Sequence, residues 1–175
     1  MLDLFIPIGL QVLLPIGFLV WQWRKREHSW LEWWLKTILI GSYLLGITLV
    51  TLWLLLPWYL AYVYLGLFGL ATILSFRHTK NIERRWHQSW KNWWWVVSCA
   101  IAIAFCTHIL IGAGLANRLP VESPIKPSFP LRKGSYYIAN GGNHTLLNAH
   151  LAFLNHPKYR GSSYAVDILK LNEFG

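Results

Sequence analysis

The sequence predicts an α-helical polytopic membrane domain with four transmembrane helices, followed by a small, incomplete β-rich extracytoplasmic domain. Three observations carry this reading. Long runs within residues 1–115 contain no Asp, Glu, Lys or Arg. All nine Lys and Arg of that half gather in two short stretches. From residue 116 onward the composition turns mixed, with Pro, Gly and Asn turn signals between short alternating segments. Apolar residues make up 55% of the 175 and charged residues 13%, against about 25% charged in a globular domain. That hydrophobicity excludes a disordered chain. Two Cys exclude a disulfide-stapled secreted module. The net charge of +9 would suggest nucleic acid, but its placement beside apolar runs argues for no nucleic-acid partner.

A spanning helix needs about 20 predominantly apolar residues. Residues 4–23, 37–76 and 93–117 are free of Asp, Glu, Lys and Arg. The middle run is too long for one span and has Pro57 near its centre, where a helix loses a donor and clashes with its preceding turn. Two helices joined by a tight turn are expected there. The four spans are then about 4–22, 37–56, 59–76 and 94–115. A cleaved signal peptide is the other reading of the first run. That run has no basic start and ends in Trp21-Gln-Trp-Arg24, where a signal peptide requires small residues.

Orientation follows from charge. The stretch 21–36 holds Arg24, Lys25, Arg26 and Lys36, and the stretch 77–92 holds Arg77, Lys80, Arg84, Arg85 and Lys91. The positive-inside rule makes both loops cytoplasmic, with both termini and the Pro57 turn outside. Ten of the twelve Trp flank these loops, as an aromatic belt at one interface requires. Residues 77–92 also suit a short amphipathic helix on anionic lipid. The lipid bilayer is therefore the expected partner of this half. His108 lies inside the fourth span without an Asp, Glu, Lys or Arg in any span to relay a proton. Cys99 and Cys106 share a helix face and read as small buried hydrophobes.

The tail opens with a stiff linker, 116–130, carrying Pro120, Pro124, Pro127 and Pro130. Within 131–175, Ser135–Ala139 reads as a strand ending in the turn Asn140-Gly-Gly-Asn143. Residues 145–151 form a second short apolar stretch, and 163–171 a third segment of strand character. Asp167 is the one acid in that segment, where acids are normally depleted. His144, His150 and His156 precede it closely, and three His with one Asp suit zinc. If 145–151 pairs with 163–170 as a hairpin, His150 and Asp167 become cross-strand neighbours. The other reading is of polar loop His residues and a structurally hydrogen-bonded Asp167.

The run Phe129-Pro-Leu-Arg-Lys-Gly-Ser-Tyr-Tyr-Ile-Ala-Asn-Gly-Gly142, then Leu147-Asn-Ala-His150, then Ser163-Tyr-Ala-Val-Asp-Ile-Leu-Lys-Leu-Asn-Glu-Phe-Gly175, resembles the opening of a lysostaphin-type (LytM-like) zinc metallopeptidase domain. It is most similar to membrane-attached bacterial members and covers about residues 127–175. The resemblance implies a β-rich fold, one zinc, and hydrolysis of peptidoglycan in the cell wall. By position Asp167 matches the early zinc-binding Asp. The usual His four residues before it is replaced by Ser163, and His150 is the candidate substitute. The later His-x-His motif has no counterpart before Gly175. The expectation is thus a zinc site resting on His150 and Asp167, with no assignable catalytic residue, in a truncated and inactive peptidase-like protein. The alternative expectation is a non-enzymatic multi-pass membrane protein whose outer tail binds a partner.

Overall fold

The computed structural model describes residues 6, 8–24, 29–51, 53, 56–79, 90–116, 131–142, 144–154 and 156–172. They form two units, one of residues 1–49 and 59–110, the other of 50–58 and 111–175.

In the first unit a π-helical turn, Gly9–Leu13, runs into α1 (Leu14–Arg24), followed by α2 (Trp30–Val50), α3 (Leu60–Thr79) and the longer part of α4 (Trp90–Ala116). Among the described residues, three helical stretches are long and apolar enough to cross a membrane: Trp30–Val50, Leu60–Thr79 and Trp93–Ala116. The first apolar run is not one regular helix. Pro15 explains why: it has no N–H to donate, and its ring would collide with the carbonyl of Gln11 in an α register. The wider π register relieves this, with the Leu14 N–H donating to the Gly9 carbonyl. The Leu10 carbonyl in that turn accepts the Tyr43 hydroxyl at 2.6 Å.

The second helix differs from its expected range of 37–56. It begins at Trp30 because Ser29 caps it, its hydroxyl accepting the Glu32 N–H at 3.2 Å. Ser29-x-x-Glu32 is a capping-box sequence. It ends at Val50 rather than at Leu56, in a β-branched stretch of Ile47, Thr48, Val50 and Thr51. The turn before α3 lies at Trp58–Tyr59, directly after Pro57. Lys36, placed by charge pattern in a cytoplasmic loop, instead lies two turns into α2 and is fully buried. Its ammonium stands 5.8 Å from the Trp21 ring centre. Of the expected basic loops, residues 25–28 and 80–89 lie outside the described residues, and so does the amphipathic helix expected there.

Ile40 and Leu44 form the fully buried apolar centre of α2. Beside them α1, α2 and α3 are joined by polar contacts. Gln22 Nε2 donates to Thr37 Oγ1 at 3.0 Å and to Ser75 Oγ at 3.4 Å, and Trp33 Nε1 donates to Ser75 Oγ at 2.6 Å. Interhelical hydrogen bonds of this kind hold apolar helices together where lipid offers no hydrophobic drive. Trp30, Trp33 and Phe76 pack edge to face around the junction.

The second unit holds two antiparallel strands, β1 (Tyr136–Asn140) and β2 (Asp167–Lys170). The expected pairing of 145–151 with 163–170 does not occur. Residues 145–147 are a turn, and Ala149–Phe153 is a 3₁₀ turn. Local bonds take the backbone there: Leu147 and Asn148 N–H both donate to the His144 carbonyl, at 3.0 and 2.9 Å. The third segment is shorter than expected for the same reason. The Ser163 and Ala165 N–H groups donate to Arg160 and Ser162, leaving ladder pairing to 167–170. The strand expected at 135–139 lies one residue on, at Tyr136–Asn140, and Gly142 after it has φ +101°, a region open to glycine; Asn143 of the expected turn lies outside the described residues. Gly112 permits a close approach: a Cβ there would stand 2.6 Å from Leu146 Cδ1. The Pro-rich linker lies, from residue 117 to 130, outside the described residues.

Candidate metal-ligand pair

The site rests on the connection between β1 and β2. Asn148 organises it. Fully buried, its side-chain amide donates to the Gly142 carbonyl at 3.1 Å and reaches those of Ser163 at 3.5 Å and Ala165 at 3.4 Å. Its Oδ1 accepts the His150 N–H at 3.0 Å, capping the 3₁₀ turn that carries the imidazole. One side chain thus binds together the Gly142 turn, the His150 turn and the segment leading into Asp167.

A bulge in β1 sets the other half. Tyr136, Tyr137 and Ile138 pair with Lys170, Leu169 and Ile168, and the register then shifts so that Asn140 opposes Asp167. Asn140 Nδ2 donates to Asp167 Oδ2 at 2.7 Å. His150 Nε2 lies 3.1 Å from the same oxygen. With Nε2 donating, Nδ1 keeps the lone pair of the neutral ring. The His150 side chain is 25% exposed and that of Asp167 45%. The pair is therefore open to solvent and to a ligand. The Asp167 carboxyl is held below the ordinary carboxylate range, first by the Asn140 hydrogen bond and then by that from His150, against a smaller opposing effect of desolvation.

The two expected ligands are thus brought together, by a route other than the expected hairpin. Zinc bonds of about 2.0–2.2 Å to nitrogen and oxygen put tetrahedral ligands about 3.3 Å apart. The 3.1 Å separation of His150 Nε2 and Asp167 Oδ2 is that of a hydrogen bond, which accounts for it without a metal. A catalytic zinc site needs three protein ligands. Among the described residues no group of three or more His, Cys, Asp and Glu converges, so they do not make up a zinc site.

The other candidates lie elsewhere. His144 Nδ1 accepts the Leu146 N–H at 3.1 Å, a local turn contact. His156 packs on Tyr159 at 4.8 Å between ring centres. His108 is exposed on α4, Cys99 is buried and Cys106 half-buried, and neither joins a disulfide among the described residues. Ser163 is fully buried, and its hydroxyl has no hydrogen-bond partner. The site residues absent from the sequence reading are Asn140 and Asn148. Their signals were present as the turn Asn140-Gly-Gly and the pair Asn148-x-His150. The chain matches no family model, no curated protein and no solved structure.

Proposed function

We propose that the chain is a multi-pass protein of the bacterial plasma membrane that presents a lysostaphin-type, LytM-like zinc module to the cell wall, with peptidoglycan as the polymer it meets. The observation that carries this reading is the convergence of His150 Nε2 and Asp167 Oδ2 at 3.1 Å, held by the Asn of Asn148-x-His150 and by Asn140. By position Asp167 matches that family's early zinc-binding Asp, and His150 is the inferred substitute for the His that Ser163 replaces. In this reading His150 and Asp167 are two zinc ligands, and among the described residues no third His, Cys, Asp or Glu joins them. Zinc held there would supply Lewis-acid polarisation of a peptide carbonyl. The chain's own contribution is to keep imidazole and carboxylate pre-oriented, through Asn148 and Asn140, as second partners of metal ligands do.

The membrane half serves as the anchor. The helical segment from Ile8 to Arg24 supplies a fourth span, at the short end of the 17–25 residues that cross a bilayer. Four spans with the basic stretches in the cytoplasm put the tail on the cell-wall side. A second reading is favoured by the two-ligand count: a non-enzymatic membrane protein whose tail binds a partner.

The test uses the full chain in lipid nanodiscs. Zinc titration should give one site per chain, weakened at least tenfold by His150→Ala and by Asp167→Ala. Purified peptidoglycan should co-sediment with the zinc-loaded chain and not with the Asp167→Ala variant. Zinc binding indifferent to both substitutions would overturn the ligand assignment. Zinc binding without peptidoglycan retention would leave the second reading.

A further inference from the structure

The first unit carries an apolar groove that the anchor role does not use. It lies between α1 and α3 and measures about 290 Å³. Leu19, Val20 and Trp23 form one wall and Leu67, Leu70 and Leu74 the other, with Ala71 at its floor. The spacings i, i+1, i+4 and i, i+3, i+7 put each wall on a single helix face. Val20, Trp23, Leu67 and Leu70 are between 42% and 63% exposed. An all-apolar groove of this size, just below the range of about 300–1,000 Å³ of small-molecule sites, suits a length of hydrocarbon chain.

Each wall continues, one turn on, into an arginine. Arg24 follows Val20 by four residues, and Arg77 follows Leu74 by three. Both arginines are exposed. Their levels along the groove coincide. Gln22 of α1 hydrogen-bonds Ser75 of α3, and each arginine lies two residues beyond its member of that pair. α1 with its π turn meets α2 at Leu10–Tyr43 and Gln22–Thr37, and α3 meets α2 at Phe68–Gly41 and Ser75–Trp33, so both run against α2 and the walls 19–23 and 67–74 share one chain direction. The groove is therefore apolar along its length and doubly cationic at one end.

We propose that this groove is a binding site for one anionic phospholipid. One acyl chain lies between the Leu19–Trp23 and Leu67–Leu74 walls, and the headgroup phosphate is held by the Arg24 and Arg77 guanidiniums. Planar guanidiniums suit a phosphate through paired N–H donors. A zwitterionic lipid fills the same groove but gains less from two cations at its mouth. The site belongs to the bundle alone and is independent of any metal chemistry in the tail.

The test is native mass spectrometry of the full chain released from nanodiscs of equal phosphatidylglycerol and phosphatidylcholine. One phosphatidylglycerol should stay bound per chain, favoured over phosphatidylcholine by about tenfold or more, since each basic residue near a membrane surface contributes on the order of a fivefold preference. The double variant Arg24→Gln/Arg77→Gln should bring that ratio near unity. Arg24→Lys/Arg77→Lys should keep most of it, which separates charge loss from misfolding. Leu70→Trp, at an exposed wall position, should remove the bound lipid of either kind. Equal retention of the two lipids by the unaltered chain would overturn the proposal. So would an undiminished preference in the Gln variant whose helical circular dichroism is unchanged. A chain dimer broken by Leu70→Trp would reassign the groove to a second copy.

Discussion

Asn140 stands opposite Asp167 only because β1 carries one extra residue. Tyr136, Tyr137 and Ile138 pair in strict alternation with Lys170, Leu169 and Ile168, and the ladder then slips. In an unbroken register Ala139 would meet Asp167, and Asn140 would meet Val166. The slip brings Asn140 Nδ2 to 2.7 Å from the carboxylate oxygen that His150 also uses. Bulges re-aim side chains in this way beside functional sites.

Asn140→Ala removes the larger of the two hydrogen bonds that hold the Asp167 carboxyl down. The carboxyl pKa, followed by ¹³C NMR of labelled Asp in the full chain, should rise toward the ordinary carboxylate value. An unchanged midpoint would mean that His150 alone sets it.

The direction of that shift fixes a pH dependence. A carboxyl whose folded pKa is depressed contributes stability above its unfolded pKa and loses it as pH falls through the folded value. The His150–Asp167 contact should therefore be intact at neutral pH and disappear on acidification below the usual carboxylate range. Amide exchange of residues 167–170 should quicken over that range in the unaltered chain. In Asp167→Asn the acid-dependent step should be absent.

Asn148 and Ser163 offer opposed outcomes at one buried place. Asn148→Ala removes donors to the Gly142, Ser163 and Ala165 carbonyls and the cap on His150. The cost should be about 2 kcal/mol or more, because buried acceptors are left unmet. Ser163→Ala removes a buried hydroxyl without a partner and should be neutral or stabilising by about 1 kcal/mol. Amide exchange at Gly141 and Leu147 in the full chain reads both effects. Destabilisation by Ser163→Ala equal to that by Asn148→Ala would contradict this account.

Sidedness is open to direct labelling. Single Cys residues at Arg77 and Gly161, in a Cys99→Ala/Cys106→Ala background, report the two sides. An impermeant maleimide applied to intact cells should label position 161 and leave position 77 unlabelled until lysis. The opposite pattern would overturn the proposed topology.

The membrane-spanning runs are legible in the sequence because a charge-free stretch of spanning length has few alternatives. The start of α2 is not, so long as charge alone marks a boundary. Lys36 and Glu32 sit inside the helix, and the signal for its start is Ser29-x-x-Glu32. The Pro15 π turn was likewise readable from proline chemistry but not from hydrophobicity. In the tail, the approach of His150 to Asp167 follows from residue types, whereas the path to it does not. Period-2 patterning marks 145–151 as apolar but does not register that Asn148 offers the backbone a cap. Nor does it reveal the extra residue in β1, which depends on cross-strand pairing.

The burial of Lys36 constrains how the chain enters the bilayer. On insertion scales a lysine at the centre of a lone span costs about 2.5–3.5 kcal/mol. Lys36 lies nearer one end of α2, yet it is fully enclosed, with the Trp21 ring beside its ammonium. Trp21 and Gln22 leave the ribosome before α2 does, so the enclosure for Lys36 is synthesised ahead of the helix that needs it. The expectation is that α1 aids the entry of α2. Replacing α1 by a polyleucine helix of equal length should lower the translocation efficiency of α2 in a glycosylation-mapping assay, and Lys36→Leu should restore it.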